Sequence, residues 1–136
     1  VVDEYGNIRS EEQGYMIGAD VFNFVIREVP KDFNRLLGFS GIELNSIDYF
    51  IFHQANSYIN SFLAKKLKLA GEKIPTTIEK FGNTSSVSIP LTIVSELKDK
   101  LSGHKRLLMS GFGVGLTWGT AIIDVEDCFL GDIVEV

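Results

Sequence analysis

Apolar positions along this chain change their period several times, and each change predicts an element. From Asp20 to Leu37 they fall at Phe22, Val25, Ile26, Val29, Phe33, Leu36 and Leu37. Spacings of three and four predict a helix with one buried stripe. Pro30 lies inside that pattern, where it removes a backbone donor and crowds the preceding turn, so a kink is expected there. Gly38 is the expected stop. Ile47 to Phe52 is a continuous apolar and aromatic run broken only by Asp48, which predicts a buried strand. Ile59, Phe62, Leu63 and Leu67 return to helical spacing, with Lys65, Lys66 and Lys68 largely on the opposite side.

Shorter signals complete the order. Residues 3–13 are polar and acidic around a Tyr5-Gly6-Asn7 turn signal, and predict a loop or hairpin leading to a short strand near Tyr15-Met16-Ile17. Ile74 to Ile78 predicts another short strand. Ser85 or Ser86 can cap a third helix whose face is Val87, Leu91, Val94, Leu97 and Leu101, with Pro90 tolerated in its first turn. Arg106–Ser110 and Thr117–Val125 predict two strands joined in a hairpin by a glycine-rich turn. The order β-α-β-α-β-α-β-β predicts an α/β layered domain with a mixed sheet. No repeat, linker or low-complexity tract interrupts it.

Composition narrows the class. The 136 residues are enough for one domain with a sizeable core, and the apolar (45%) and charged (23%) fractions are those of an ordinary globular protein. A net charge of −5 argues against a general nucleic-acid or anionic-membrane surface. No apolar stretch approaches the roughly 18 residues that would span a bilayer, and no signal peptide opens the chain. One cysteine, Cys128, excludes an internal disulfide and fits a reducing cytoplasm. The start at Val1-Val2-Asp3, without methionine, reads as mid-sequence, so an excised domain or processed chain is expected.

Two strings stand out as candidate chemistry: Phe52-His53-Gln54-Ala55-Asn56 and Gly82-Asn83-Thr84-Ser85-Ser86. Each sets a polar side chain after an apolar or extended run and before a helix. Carboxyl ends of strands in α/β sheets gather ligands, and helix N-termini favour anionic ones. A neutral imidazole there can donate to a developing oxyanion or move a proton. Taken alone, such a histidine is more often structural, and an asparagine after glycine is more often a turn residue. Gly111-Phe112-Gly113-Val114-Gly115-Leu116-Thr117-Trp118-Gly119 is not a dinucleotide fingerprint, because it joins two strands instead of opening a helix. Its glycines are either conformational or allow a close backbone approach to a ligand. Cys128 has no cationic neighbour in sequence and reads as inert. His104, between Gly103 and Lys105, reads as a solvated turn residue. With two histidines and no Cys/His spacing, a zinc site is not expected.

In order and spacing, the three strings resemble the C-terminal half of the ketoacyl-acyl-carrier-protein synthase III family of thiolase-fold condensing enzymes. His53-Gln54-Ala55-Asn56 is similar to that family's histidine motif, Gly82-Asn83-Thr84-Ser85-Ser86 to its asparagine motif, and Gly111–Gly119 to its closing hairpin. The resemblance runs from about Gly18 to Val125. It implies one half of a thiolase-like layered fold, the C-terminal repeat, with a mixed five-stranded sheet packed against helices. It also implies two members of a Cys-His-Asn triad. His53 and Asn83 would stabilise the enolate formed as malonyl-carrier protein decarboxylates. Asn56 would buttress the site, Phe112 would line the pocket beside the histidine, and the Val114 amide would point into the cysteine's oxyanion hole.

The resemblance places the nucleophilic cysteine in an N-terminal half, and Cys128 is in the wrong place to replace it. On its own, the chain is therefore expected to be inactive in condensation. Its substrates would be an acyl-CoA primer and malonyl-acyl-carrier protein, with no cofactor. Tyr58 stands where the family often has an arginine that helps dock the carrier protein, while Lys65 and Lys66 match basic positions on the same helix. Expected partners are acyl carrier protein, acyl-CoA, the chain's own N-terminal domain, and a second copy covering an apolar face in a homodimer; nucleic acid and membrane are not. Two alternatives stay open: a secondary-metabolite acyl synthase or acyltransferase on the same fold, or a non-catalytic carrier-protein-docking subunit.

Overall fold

A strand apolar on every residue needs cover on both faces, and helices supply it here. The computed structural model of the protein describes residues 2, 6, 8, 10, 16–113 and 115–134. Within them run α1 (Gly18–Ser40), β1 (Tyr49–Phe52), α2 (Ser57–Lys66), the single turn α3 (Ile78–Phe81), α4 (Ser88–Glu96), β2 (His104–Gly113) and β3 (Thr117–Glu126). The sheet order is β1-β2-β3, with β1 parallel to β2 and β2 antiparallel to β3.

Alternation along the strands divides the core into two clusters. Phe50 and Phe52 of β1, with Leu108 and Phe112 of β2, pack against Phe24, Val25, Val29 and Phe33 of α1 and Ile59 and Leu63 of α2. Ile51 and Leu107 belong to the second cluster, with Leu97, Leu101 and the half-buried Ile89 and Ile93 of α4. The result is an α/β/α sandwich one strand thick at its centre.

The described residues contain three strands where the sequence predicts five. Met16 and Ile17 are not in a strand, and Tyr15 and the Tyr5 and Asn7 of the expected turn lie outside the described residues. Residues 74–77 are irregular: among the described residues no neighbouring strand offers them a ladder, and the Thr77 N–H is taken by the Gln54 side chain instead. The hairpin forms as expected, with both strands longer. Gly111 and Gly113 lie within β2 and Gly119 within β3, so the turn itself relies on Gly115 at φ +78°. His104 is the first residue of β2, not a turn residue, and faces Asp124 at 3.4 Å.

Helix boundaries move at the end of α1 and at both ends of α4, which stops at Glu96, short of Leu97 and Leu101 of the predicted face. Helix α1 runs through Gly38 and stops at Gly41, which takes the left-handed conformation at φ +67° and donates its N–H to the Leu37 carbonyl at 3.0 Å. Neither Ser85 nor Ser86 caps α4 by its side chain: residues 85–87 form a 3-10 turn and the helix opens at Ser88. Its buried residues are Ser88 and Thr92, whereas Val87, on the predicted apolar face, is exposed.

Pro30 sits inside α1 and has no N–H to give the carbonyl of Ile26, one turn back. Lys66, at the end of α2, supplies that donor: its Nζ stands 2.7 Å from the Ile26 oxygen. No helix among the described residues is long and apolar enough to cross a membrane.

Candidate active site

His53 is the first residue beyond β1, and both its main chain and its ring are held. Its main-chain N–H donates to the Ser110 carbonyl of β2 at 2.9 Å, extending the parallel ladder by one bond. Its ring meets Phe112 edge to face, centroids 5.2 Å apart. Its Nδ1 lies 2.6 Å from Ser88 Oγ, at the opening of α4. Burial holds the imidazole pKa below its ordinary value, an effect the Ser85 backbone partly offsets. The larger influence lowers the pKa, so the ring is a neutral donor or acceptor near neutral pH.

Asn83 is exposed and held differently. Gly82 before it adopts φ +66°, ψ −157°, a region essentially reserved for glycine. Asn83 Oδ1 accepts the Ser85 N–H at 2.9 Å, and Ser85 itself sits at φ +55°. An N–H can only donate, so the oxygen end of the carboxamide is identified and its NH2 group remains as the donor end. The loop then delivers Ser85 and Ser88 to His53. The two strings, far apart in sequence, thus meet at the carboxyl end of β1 through Ser85 and Ser88.

The other predicted positions divide. Phe112 is buried, with its ring against the histidine. Asn56 caps α2, its Oδ1 accepting from Ile59 N at 2.8 Å; it fixes the helix that follows His53, and no hydrogen bond to the ring is formed. Val114 lies outside the described residues. Lys65 is exposed on α2, whereas Lys66 is committed to the Ile26 carbonyl and lies over the Phe62 ring. Tyr58 is exposed and stacks on Phe22 of α1, centroids 5.5 Å apart. Cys128 packs beside the second core cluster, on the α4 side of the sheet.

Sequence reasoning missed the buried hydroxyls. Ser88 and Thr92 are 1% and 0% exposed, one helical turn apart on α4. Their i, i+4 spacing among the apolar residues of the helix was the available signal. Gln54, next to the histidine, is also buried, at 1% exposure.

Residues 37–125 match the family model described as the 3-oxoacyl-[acyl-carrier-protein] synthase III C terminal. The chain is 43% identical over 114 residues to a beta-ketoacyl-[acyl-carrier-protein] synthase III of Streptococcus gordonii, covering 81% of this chain and 35% of that protein. A protein of the same name from Lactococcus lactis subsp. cremoris is 41% identical over 113 residues, with the same coverage of each chain. The crystal structure of a 3-oxoacyl-(acyl-carrier protein) synthase from Burkholderia xenovorans LB400 superposes with a TM-score of 0.86 at 43% identity, over 90% of this chain and 35% of that one. The chain therefore spans about a third of the length of the relatives it matches. With the thiolase-like α/β fold and the matched segment running from the end of α1 to the end of β3, the chain belongs to the 3-oxoacyl-[acyl-carrier-protein] synthase III family, as its C-terminal domain.

Proposed function

We propose that this chain supplies the enolate-stabilising half of a condensing active site in fatty acid or related biosynthesis. The reaction is the decarboxylative Claisen condensation of an acyl-CoA primer with malonyl-acyl-carrier protein. As the malonyl carboxylate leaves as CO2, the electron pair of the broken C–C bond moves through the α-carbon onto the thioester oxygen. His53 and Asn83 donate to that oxygen. Neutral donors suit the step: they stabilise the enolate without protonating its carbon, so it survives to attack the primer acyl group. The observation that carries the reading is His53 itself, half-buried, kept neutral, and held by Ser88 beside the loop whose Asn83 NH2 group has no partner among the described residues.

The acyl-bearing nucleophile comes from the N-terminal part of the longer protein, because Cys128 lies with the second core cluster. The chain alone completes no condensation. Acyl carrier protein approaches over α2, where Lys65 is the cation left for it once Lys66 is engaged. The N-terminal half and a second copy of the protein are its other partners, and the cytoplasm is its compartment.

A chimera tests this directly, with the chain replacing the segment it matches in the Streptococcus gordonii relative. It should decarboxylate malonyl-carrier protein and condense it with an acyl-CoA primer. His53→Ala should lose decarboxylation and keep acyl transfer from acyl-CoA to the enzyme. Normal decarboxylation by the His53→Ala chimera would sink the assignment.

A further inference from the structure

The polar groups buried around His53 form a chain whose proton order follows from simple counting. Thr92 lies one turn after Ser88 on α4, and its hydroxyl donates to the Ser88 carbonyl at 2.8 Å. A hydroxyl has a single proton. The Thr77 hydroxyl, 2.7 Å from Thr92 Oγ1, is therefore the donor of that pair. Gln54 Oε1 accepts the Thr77 N–H at 3.1 Å and the Thr76 hydroxyl at 3.0 Å, while Gln54 Nε2 donates to the Phe52 carbonyl at 2.9 Å. The Gln54 main-chain N–H donates to Ser88 Oγ at 3.3 Å. Everything converges on Ser88, whose Oγ is 2.6 Å from His53 Nδ1.

Packing alone does not call for this arrangement. Alanine at 88 and valine at 77 and 92 would fill similar space with no buried polar atom to satisfy. What the hydroxyl chain adds is one fixed imidazole orientation, because a contact to Nδ1 distinguishes the two edges of the ring. For Nε2 to donate to the substrate oxygen, Nδ1 must be unprotonated, so Ser88 gives its single proton to Nδ1 while its oxygen accepts the Gln54 N–H.

Resting on the enolate-stabilising role proposed above, we infer that Ser88 is the positioning residue for His53: by engaging Nδ1 it fixes the ring and leaves Nε2 as the nitrogen offered to the substrate thioester. The Thr92–Thr77–Gln54 chain anchors α4 to β1 and so holds Ser88 in place.

Nitrogen NMR on the chain labelled with 15N-histidine tests the contact without any assay of activity. His104→Gln identifies the His53 signals. Ser88→Ala should displace the His53 Nδ1 resonance and leave His104 unchanged. In the chimera the same substitution should lower kcat for malonyl decarboxylation about ten- to hundredfold with KM little altered, the scale on which removing the hydrogen-bond partner of a metal-bound histidine acts. Ser88→Thr keeps the hydroxyl and should restore most of the rate. An unmoved Nδ1 resonance, a wild-type kcat for Ser88→Ala, or a folded Ser88→Thr protein as impaired as Ser88→Ala each overturns the inference. Should Ser88→Ala not fold, Ser88→Cys, with its weak S–H donor, should displace Nδ1 in the same way. A parent chimera without decarboxylase activity would refute the functional reading, and the Nδ1 resonance would still decide the Ser88 contact.

Discussion

The histidine loop and the asparagine loop present similar hydrogen-bonding groups but are built by opposite means. His53 is held by its side chain, half-buried between Phe112 and Ser88. Asn83 is exposed and held by its backbone, between a glycine-only conformation at Gly82 and a left-handed Ser85. The difference follows from the chemistry of the two groups. An imidazole must be kept neutral and correctly rotated, which takes burial and a partner for one nitrogen. A carboxamide has no charge to suppress, so correct placement of the loop is enough.

The sharpest way to break this comparison is Asn83→Asp. The new carboxylate still accepts the Ser85 N–H, so the loop should keep its shape, but both NH2 donors are gone. Malonyl decarboxylation in the chimera should fall about a hundred- to a thousandfold, as on removing one oxyanion donor, with the thermal midpoint hardly changed. Retained activity would show that the carboxamide acts only by shaping the loop. Gly82→Ala attacks the backbone instead. Apart from its chain neighbours, no atom of the described residues lies within 4 Å of where its Cβ would sit, so the cost is conformational, about 1–3 kcal/mol in urea unfolding. A neutral result would mean that the loop is not held by its backbone.

The smallest effect is the pH response. His53 has a folded-state pKa below its unfolded value of about 6.5, because burial disfavours the cation more than the Ser85 backbone favours it. The unfolded chain therefore binds the proton more readily. Stability attributable to this ring is complete above the unfolded pKa and declines as pH falls through the folded one. Ring-proton shifts followed against pH should place the His53 midpoint below the ordinary imidazole range. A midpoint at or above that range contradicts the burial argument.

The histidine loop was the more legible of the two in sequence, because an apolar run ending in a polar residue marks both the strand and its carboxyl end. The asparagine loop was readable as Gly82-Asn83 but not as a conformation, since sequence shows that glycine is present and not which torsion it takes. Ser88 and Thr92 escaped notice because serine and threonine in a helix usually face water. Here they face inward, and the apolar Val87 faces out. The strand predicted at Ile74 to Ile78 failed for a related reason: β-branched residues favour a strand only where a neighbour offers a ladder, and Gln54 met the one buried donor first. The hairpin succeeded because its register is local, with Gly111 opposite Gly119 and Phe112 opposite Trp118.

The proline inside α1 has a consequence for how this family can vary. The carbonyl that Pro30 leaves unserved is answered by an ammonium from another helix, so two positions thirty-six apart in sequence share a single hydrogen bond. A descendant that loses the proline releases the lysine, which then becomes free for contacts outside α1. One that keeps the proline and loses the lysine leaves the Ile26 carbonyl to water. Substitutions at 30 and 66 should therefore travel together through a lineage, and the basic surface of α2 should widen wherever the proline disappears.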